Sequence, residues 1–131
     1  MFKIERMDKP SYPAILKIPT TASETYTLGE LLKMASGKLT KASGTDVPLY
    51  VSEQAYVAPA SGNEDLSVHR INSEHEYRTT FAADGSSRVV GDKVTIHTDG
   101  AQITATTSSG VAEITKKLGT GASGTEALVR F

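Results

Sequence analysis

The sequence predicts an all-β protein: a small β-barrel or sandwich built from short hairpins, with an extended N-terminal arm. Two observations favour this class. Short segments alternate apolar and polar residues with a period of two and are rich in Thr and β-branched residues, as half-buried strands are. Gly, Asp-Gly and Ser-Gly punctuate these segments, as tight turns between strands require. A chain of 131 residues has the length of one domain. We divide it into an N-terminal arm, residues 1–24, and a single β-rich domain, residues 25–131.

The arm is predicted from its prolines. Pro10, Pro13 and Pro19 lack a backbone donor and keep the residues before them out of helical conformation. Between them, residues 14–18 have the composition of one strand. The arm either packs on its own domain or reaches a neighbouring molecule.

In the rest of the chain the alternation predicts several short strands, over residues 66–71, 77–81, 94–98 and 127–131. The strongest turn signal is Asp99-Gly100, which separates residues 94–98 from residues 102–106. A type I′ turn needs a positive φ at both central positions, and Asp-Gly adopts it at low cost. We therefore predict a hairpin with a type I′ turn here.

Residues 28–36 fit two structures. Glu30 completes a capping box and Gly37 a helix C-cap, so the local pattern favours a short helix. However, LGELLKM (28–34) resembles VGDKVTI (90–96), and each is followed by a Gly turn and a second apolar segment. Because the second copy has a clear strand pattern, this internal repeat predicts strand, turn and strand in the first copy as well.

Composition excludes several classes of protein. Cysteine is absent, which excludes disulfides, Cys-zinc sites, iron–sulfur clusters and thiol catalysis. Lys plus Arg number 14 against 15 for Asp plus Glu, and this balance argues against a nucleic-acid partner. There is no signal-type segment and no apolar run of the ~20 residues that a membrane span needs, so no membrane partner is expected.

No motif predicts a catalytic, cofactor or metal site. Residues 119–124 match GxGxxG, but only seven residues follow, and they have a strand pattern instead of the helix that a dinucleotide needs. The spacing of the metal-capable side chains matches no known ligand motif; these are His69, Glu74, His75, Glu76 and His97. Nucleophile-elbow and P-loop patterns are missing. We therefore predict a protein that is not an enzyme and holds no cofactor and no metal.

Several segments carry a resemblance to a known family: GDKVTI (91–96), the Asp99-Gly100 turn, SGVAEI (109–114) and ALVRF (127–131). Upstream, residues 29–32, 37–42 and 48–51 follow the same pattern of strand, hairpin and return strand. Together they resemble the capsid decoration proteins, or head cement proteins, of tailed bacteriophages and prophages. The resemblance extends over residues 25–131.

This resemblance implies a non-enzymatic structural protein of the virion that binds the outer surface of the assembled capsid and stabilises it. Its implied partners are the major capsid protein and further copies of itself, with a trimer favoured. It would be made in the cytoplasm of the bacterial host. The arm would contact the capsid by adding a strand to a capsid sheet, which uses main-chain hydrogen bonds. The candidate contact residues are Ile4, Tyr12, Ile15, Leu16 and Ile18.

Two other functions stay open at this stage. A phage tail, fibre or surface-adhesion β-domain would bind glycan or protein, and Tyr50 and Tyr56 are the candidates to stack on sugar rings. A metal-dependent enzyme would need His69, His75 and His97 to converge on one ion. The second alternative is the weaker one, because the spacing of its histidines carries no signature.

Overall fold

The computed structural model of the chain describes residues 1–6, 12–62 and 64–131. All regular structure in this part of the chain is β, with twelve strands and no helix. The predicted all-β class is therefore confirmed. The described residues also include no helix of the length and apolar character that a membrane crossing demands.

The strands are short, from two to six residues each. In chain order they are β1 Lys3–Arg6, β2 Leu16–Pro19, β3 Thr25–Tyr26, β4 Leu31–Ala35, β5 Lys38–Lys41, β6 Tyr50–Ser52, β7 Tyr56–Val57, β8 Asp65–Arg70, β9 Glu76–Thr80, β10 Lys93–Val94, β11 Ala112–Lys117 and β12 Glu126–Arg130.

These strands form three antiparallel sheets, none of which closes into a barrel. One five-stranded sheet has the order β2-β8-β6-β4-β5, the other has the order β1-β9-β12-β11-β10, and β3 pairs with β7. Single bridges add links beyond the sheets. A parallel bridge joins Thr20, just after β2, to Leu39 in β5, and a second parallel bridge joins Phe81, just after β9, to Ile103.

The strand interpretation of residues 28–36 is confirmed and the helical one is wrong. In β4, Leu31 and Leu32 are both fully buried, but they belong to two different cores on opposite faces of the strand. A strand places successive side chains on opposite faces, whereas a helix of this length has one buried stripe. Ser36 and Gly37 then turn the chain into β5 with φ values of +50° and +76°. These are the two positive values of a type I′ hairpin turn.

The hairpin at Asp99-Gly100 is present, but its predicted turn type is wrong. Ile96 and Ile103 form an antiparallel bridge, and the His97 amide donates to the Gln102 carbonyl at 2.9 Å. Of the two central residues only Gly100 has a positive φ, +68°. The Asp99 carboxylate instead accepts the amides of Ala101 and Gln102 at 2.8 and 3.1 Å. This Asx-type cap favours a longer loop than the two-residue turn.

The internal repeat is real and is more regular in space than in sequence. The Gly29 amide donates to the Ser52 carbonyl at 2.8 Å, and the Gly91 amide, 62 positions later, donates to the Ile114 carbonyl at the same distance. The return bonds match as well, because the Ser52 amide donates to Glu30 and the Ile114 amide donates to Asp92, both at 2.9 Å. We call residues 16–70 the first repeat and residues 76–130 the second repeat.

Two hydrophobic cores follow from this arrangement. The smaller core lies within the first repeat and consists of Tyr26, Leu32, Leu39, Ala58, Leu66 and Val68. The larger core lies where the repeats meet. It combines Leu31, Ala42 and Val51 of the first repeat with Phe2 and with apolar residues of the second, including Tyr77, Phe81, Val94, Ile96, Ile103, Ala112, Ile114, Ala127 and Val129.

The described part of residues 1–24 contributes one strand to each five-stranded sheet. β1 pairs with β9, with Lys3 opposite Arg78 and Ile4 opposite Tyr77. β2 pairs with β8, with Leu16 opposite Val68. Each strand is the outermost of its sheet. Residues 7–11 of the predicted arm, Pro10 among them, lie outside the described residues, and the division of the chain into arm and domain stays a prediction.

Candidate functional site

The structure separates the five predicted capsid-contact residues into two sets. Ile4, in β1, and Tyr12 line one groove. Ile15, Leu16 and Ile18 belong to β2 and the residue before it. Tyr12, Ile15 and Leu16 are 56, 49 and 38% exposed, whereas Ile18 packs against the smaller core.

The groove runs between the N-terminal residues and the edge of the first repeat and has a volume of about 220 Å³. Its rim is apolar, because Met1, Tyr12 and Leu28 are each at least half exposed there. Its other lining residues are Phe2, Lys3, Ile4, Gly29, Val51, Ser52, Glu53 and His69. The groove therefore combines an exposed apolar rim with a polar floor.

A small network of side chains forms that floor. His69, in β8, is 2% exposed, and its Nδ1 lies against the Oε1 atom of Glu53. The Tyr12 hydroxyl donates to the same oxygen at 2.8 Å. On the other side of the imidazole, Nε2 lies 3.5 Å from the Tyr77 hydroxyl, and the two rings stack with an interplanar angle of 3°. Tyr12 meets the His69 ring edge-on at a centroid distance of 5.7 Å.

The surroundings of this network make both tyrosine hydroxyl groups weaker acids. Burial, and then the Glu53 carboxylate, raise the pKa of Tyr12 to about 12. Burial also raises the pKa of Tyr77 to about 12. The Glu53 carboxylate accepts the Tyr12 hydroxyl and so holds Tyr12 in place. The network therefore links Tyr12, in the segment before β2, to Glu53 and to His69 in β8.

The metal-capable residues of the sequence do not converge. His97 Nδ1 lies 3.2 Å from Asp99 Oδ1, in the hairpin loop, while His69 lies in the groove floor. Across residues 1–6, 12–62 and 64–131, no three His, Asp or Glu side chains are grouped closely enough to hold a metal ion. The segment 119–124 forms the loop before β12, in which the Gly121 carbonyl accepts the Gly85 amide at 2.8 Å.

The candidate sugar-stacking residues are partly occupied. The Arg70 guanidinium lies over the Tyr50 ring at 5.7 Å from its centroid, and so covers one face of it. Tyr56 pairs with Tyr26 in the two-stranded sheet and packs against the smaller core.

Sequence reasoning missed Glu53 and Leu28 as parts of the groove. Glu53 reaches His69 because β6 pairs with β8, with Val51 opposite His69. The two residues are 16 positions apart, and only the strand pairing brings them together. Leu28 had a signal, since the internal repeat aligns it with Val90, but nothing in the sequence indicated that the N-terminal residues lie beside it.

No protein-family model matches the sequence of this chain, and the search of curated proteins found no match.

Proposed function

We propose that this chain is a non-enzymatic structural protein of a tailed-phage or prophage virion that binds the outer surface of the assembled capsid and stabilises it. The major capsid protein is its partner, and it acts as a homo-oligomer, with a trimer favoured. It is made in the host cytoplasm and ends on the capsid surface. The family resemblance of residues 25–131 motivates this proposal.

One observation carries the proposal at the residue level. Ile15 and Leu16 are neighbouring exposed apolar side chains at the start of β2, the outermost strand of the first sheet. Contiguous exposed apolar side chains are typical of surfaces that bind another protein. Before the bridge at Thr20, β2 pairs only with β8 among the described residues, which leaves main-chain groups on its other side for a partner strand. These features favour the predicted contact of the N-terminal segment with the shell.

We also propose a finer architecture, in which each repeat is a small barrel-like unit. The parallel bridges Thr20–Leu39 and Phe81–Ile103 support it, because the residue after β2 bridges to the β4–β5 hairpin and the residue after β9 bridges to the Asp99-Gly100 hairpin. The Thr21 amide donates to Leu39 at 3.2 Å, and the Ala82 amide donates to Ile103 at 2.8 Å.

The test is co-sedimentation with expanded, protein-stripped heads of the phage or prophage that encodes the chain, with unexpanded precursor shells for comparison. Removing the N-terminal strand is not a clean variant, because Phe2 is 2% exposed and belongs to the larger core. The double substitution Ile15→Ser with Leu16→Ser changes only exposed side chains. We expect saturable binding to expanded heads that this variant weakens at least about tenfold.

The matched control is Val57→Ser, which removes an apolar side chain that is 67% exposed on the two-stranded sheet. This control should bind as the parent does. An unchanged affinity of the double variant would remove the N-terminal surface from the proposal. A chain that does not pellet with expanded heads at low or moderate salt would overturn the function itself, and the tail or adhesion function would take its place.

A further inference from the structure

The two repeats contain the same turn, and its surroundings differ. In the first repeat, residues 27–30 form a turn closed by the Glu30 amide and the Thr27 carbonyl at 3.2 Å. The Glu30 carboxylate accepts the Thr27 amide at 2.7 Å. In the second repeat, residues 89–92 form the same turn: the Asp92 amide donates to the Val89 carbonyl, and the Asp92 carboxylate accepts the Val89 amide, both at 3.1 Å.

An extended strand covers the first turn. The Phe2 amide donates to the Gly29 carbonyl at 2.7 Å, and the Phe2 ring is buried in the larger core. The contact is close, because a Cβ atom on Gly29 would lie 1.9 Å from the Met1 side chain and 2.9 Å from the Phe2 carbonyl oxygen. The backbone of this turn therefore serves as a docking point for an extended segment within the chain itself.

The second turn is open. A Cβ atom on Gly91 would meet nothing within 4 Å. Among the described residues, no backbone amide donates to the Gly91 carbonyl. Val89 and Val90 are 61 and 63% exposed beside it. Neither valine belongs to a hydrophobic core of the described residues.

We propose that the turn at residues 89–92 is a second docking point, and that its occupant is an extended segment of the shell protein. The segment would donate a main-chain N–H to the Gly91 carbonyl, as Phe2 does to Gly29, and would place an apolar side chain on Val89 and Val90. This inference rests on the proposed function for the identity of the partner. The N-terminal strand of a second copy is a less suitable occupant, because Phe2 would have to leave the core of its own molecule.

The chain contains no cysteine, so single-cysteine variants report on individual surfaces. Val90→Cys places a thiol in the open turn, and Val57→Cys is a matched control with a similar exposure of 67%. Each variant is reacted with a maleimide reagent, free in solution and bound to expanded heads. We expect the reaction at position 90 to slow at least about tenfold on the heads while the reaction at position 57 does not change.

The outcomes separate the two proposals. A chain that pellets with heads but keeps a reactive thiol at position 90 overturns the docking point and leaves the proposed function intact. A chain that does not pellet overturns both. Protection of position 90 in concentrated protein without heads overturns the choice of occupant, because the second copy then covers the turn. Equal protection at positions 90 and 57 overturns the inference as well, since it means general occlusion on the shell.

Discussion

Four strands pair in the same order in each repeat, β2-β8-β6-β4 in the first and β9-β12-β11-β10 in the second, but corresponding faces carry opposite chemistry. In the first repeat, three cross-strand neighbours on β4, β6 and β8 are Leu31, Val51 and His69. We call them the buried row, because they are 0, 1 and 2% exposed. In the second repeat, the corresponding neighbours on β10, β11 and β12 are Lys93, Glu113 and Arg130. We call these the charged row.

What covers each row explains the difference. The buried row meets the larger core and the N-terminal strand, and Leu31 and Val51 are part of that core. The charged row faces outward: Lys93 is exposed and the Arg130 side chain is 42% exposed. Opposite charges alternate along it, and Arg130 Nη2 lies 3.6 Å from Glu76 Oε1. The same strand pairing therefore carries a buried row in one repeat and a charged row in the other. Whether a row is covered by the rest of the molecule decides which side chains are found there.

The acids of the two turns differ in the same way. The Glu30 side chain is 1% exposed and lies 3.1 Å from Lys41 Nζ, whereas the Asp92 side chain is 30% exposed and lies 3.7 Å from Arg88. Both carboxylates make the same bond to the start of their turn. The turn bond is thus common to both repeats, and only the first repeat buries it.

The largest effect is expected from placing a residue of the charged row in the buried row. Val51→Glu would bury a carboxylate between Leu31 and His69, in a position that is 1% exposed. An uncompensated buried charge is among the most destabilising changes known, so the free energy of unfolding should fall by at least about 3 kcal/mol. Urea denaturation followed by circular dichroism measures this loss.

Two further variants serve as controls for Val51→Glu. Val57→Glu, at an exposed position, should change the free energy of unfolding by less than about 0.5 kcal/mol. The reciprocal change Glu113→Val, in the charged row, should cost less than about 1 kcal/mol. If Val51→Glu and Glu113→Val had similar effects, the two rows would not differ in burial as described.

A smaller effect should distinguish the two turns. Gly29 and Gly91 have φ values of +75° and +96°, so Ala at either position is strained and should cost about 1–2 kcal/mol. Gly29→Ala should cost about 1–2 kcal/mol more, because its Cβ would also press on the Phe2 carbonyl, which is backbone and cannot rotate away. The measurement is again the free energy of unfolding in urea. Equal losses in the two variants would mean that the N-terminal strand does not cover the first turn.

The sequence predicted the fold class and the repeat because both depend on local patterns. Alternation and Gly positions are properties of short segments, and the match of residues 28–34 to residues 90–96 was enough to correct the local helix signal. The sequence could not predict which row is buried and which is exposed. The exposure of Val51 and of Glu113 depends on which face of each repeat packs against the rest of the molecule. It also could not pair Glu53 with His69, because that contact needs the register of β6 on β8.

The prediction of a type I′ turn at Asp99-Gly100 was wrong, and a comparison of the hairpins of the two repeats gives the physical reason. A Ser-Gly pair adopts the two-residue turn in the first repeat, where Ala35 is opposite Lys38. In the second repeat, the Asp99 side chain accepts two main-chain amides and so stabilises a competing loop. A dipeptide preference is outweighed when one of its side chains can cap the loop itself.

The smallest expected effect follows from this difference between the hairpins and depends on pH. Burial acts to raise the pKa of Asp99, but the amides of Ala101 and Gln102 and the nearby His97 outweigh it, so the pKa is lowered overall. A lowered pKa in the folded state means that the carboxylate stabilises the fold above the pKa of an unfolded aspartate, about 4. This contribution is lost as pH falls through the folded-state value. Because the Asp99 side chain is 40% exposed, the loss should be under about 1 kcal/mol.

Asp99→Asn isolates that contribution, since Asn keeps the acceptor oxygen of the loop but does not titrate in this range. Lys33 and the Ser43 amide lower the pKa of Asp46 as well. Protonation of Asp46 in acid destabilises the parent and the variant equally, so its effect cancels when the two proteins are compared. The free energy of unfolding is measured in urea at pH 7 and at pH 3 for both proteins. The parent should lose more stability than the variant between these values, by less than about 1 kcal/mol. Equal losses would show that the Asp99 carboxylate does not hold the second hairpin, and the two hairpins would then differ in loop length alone.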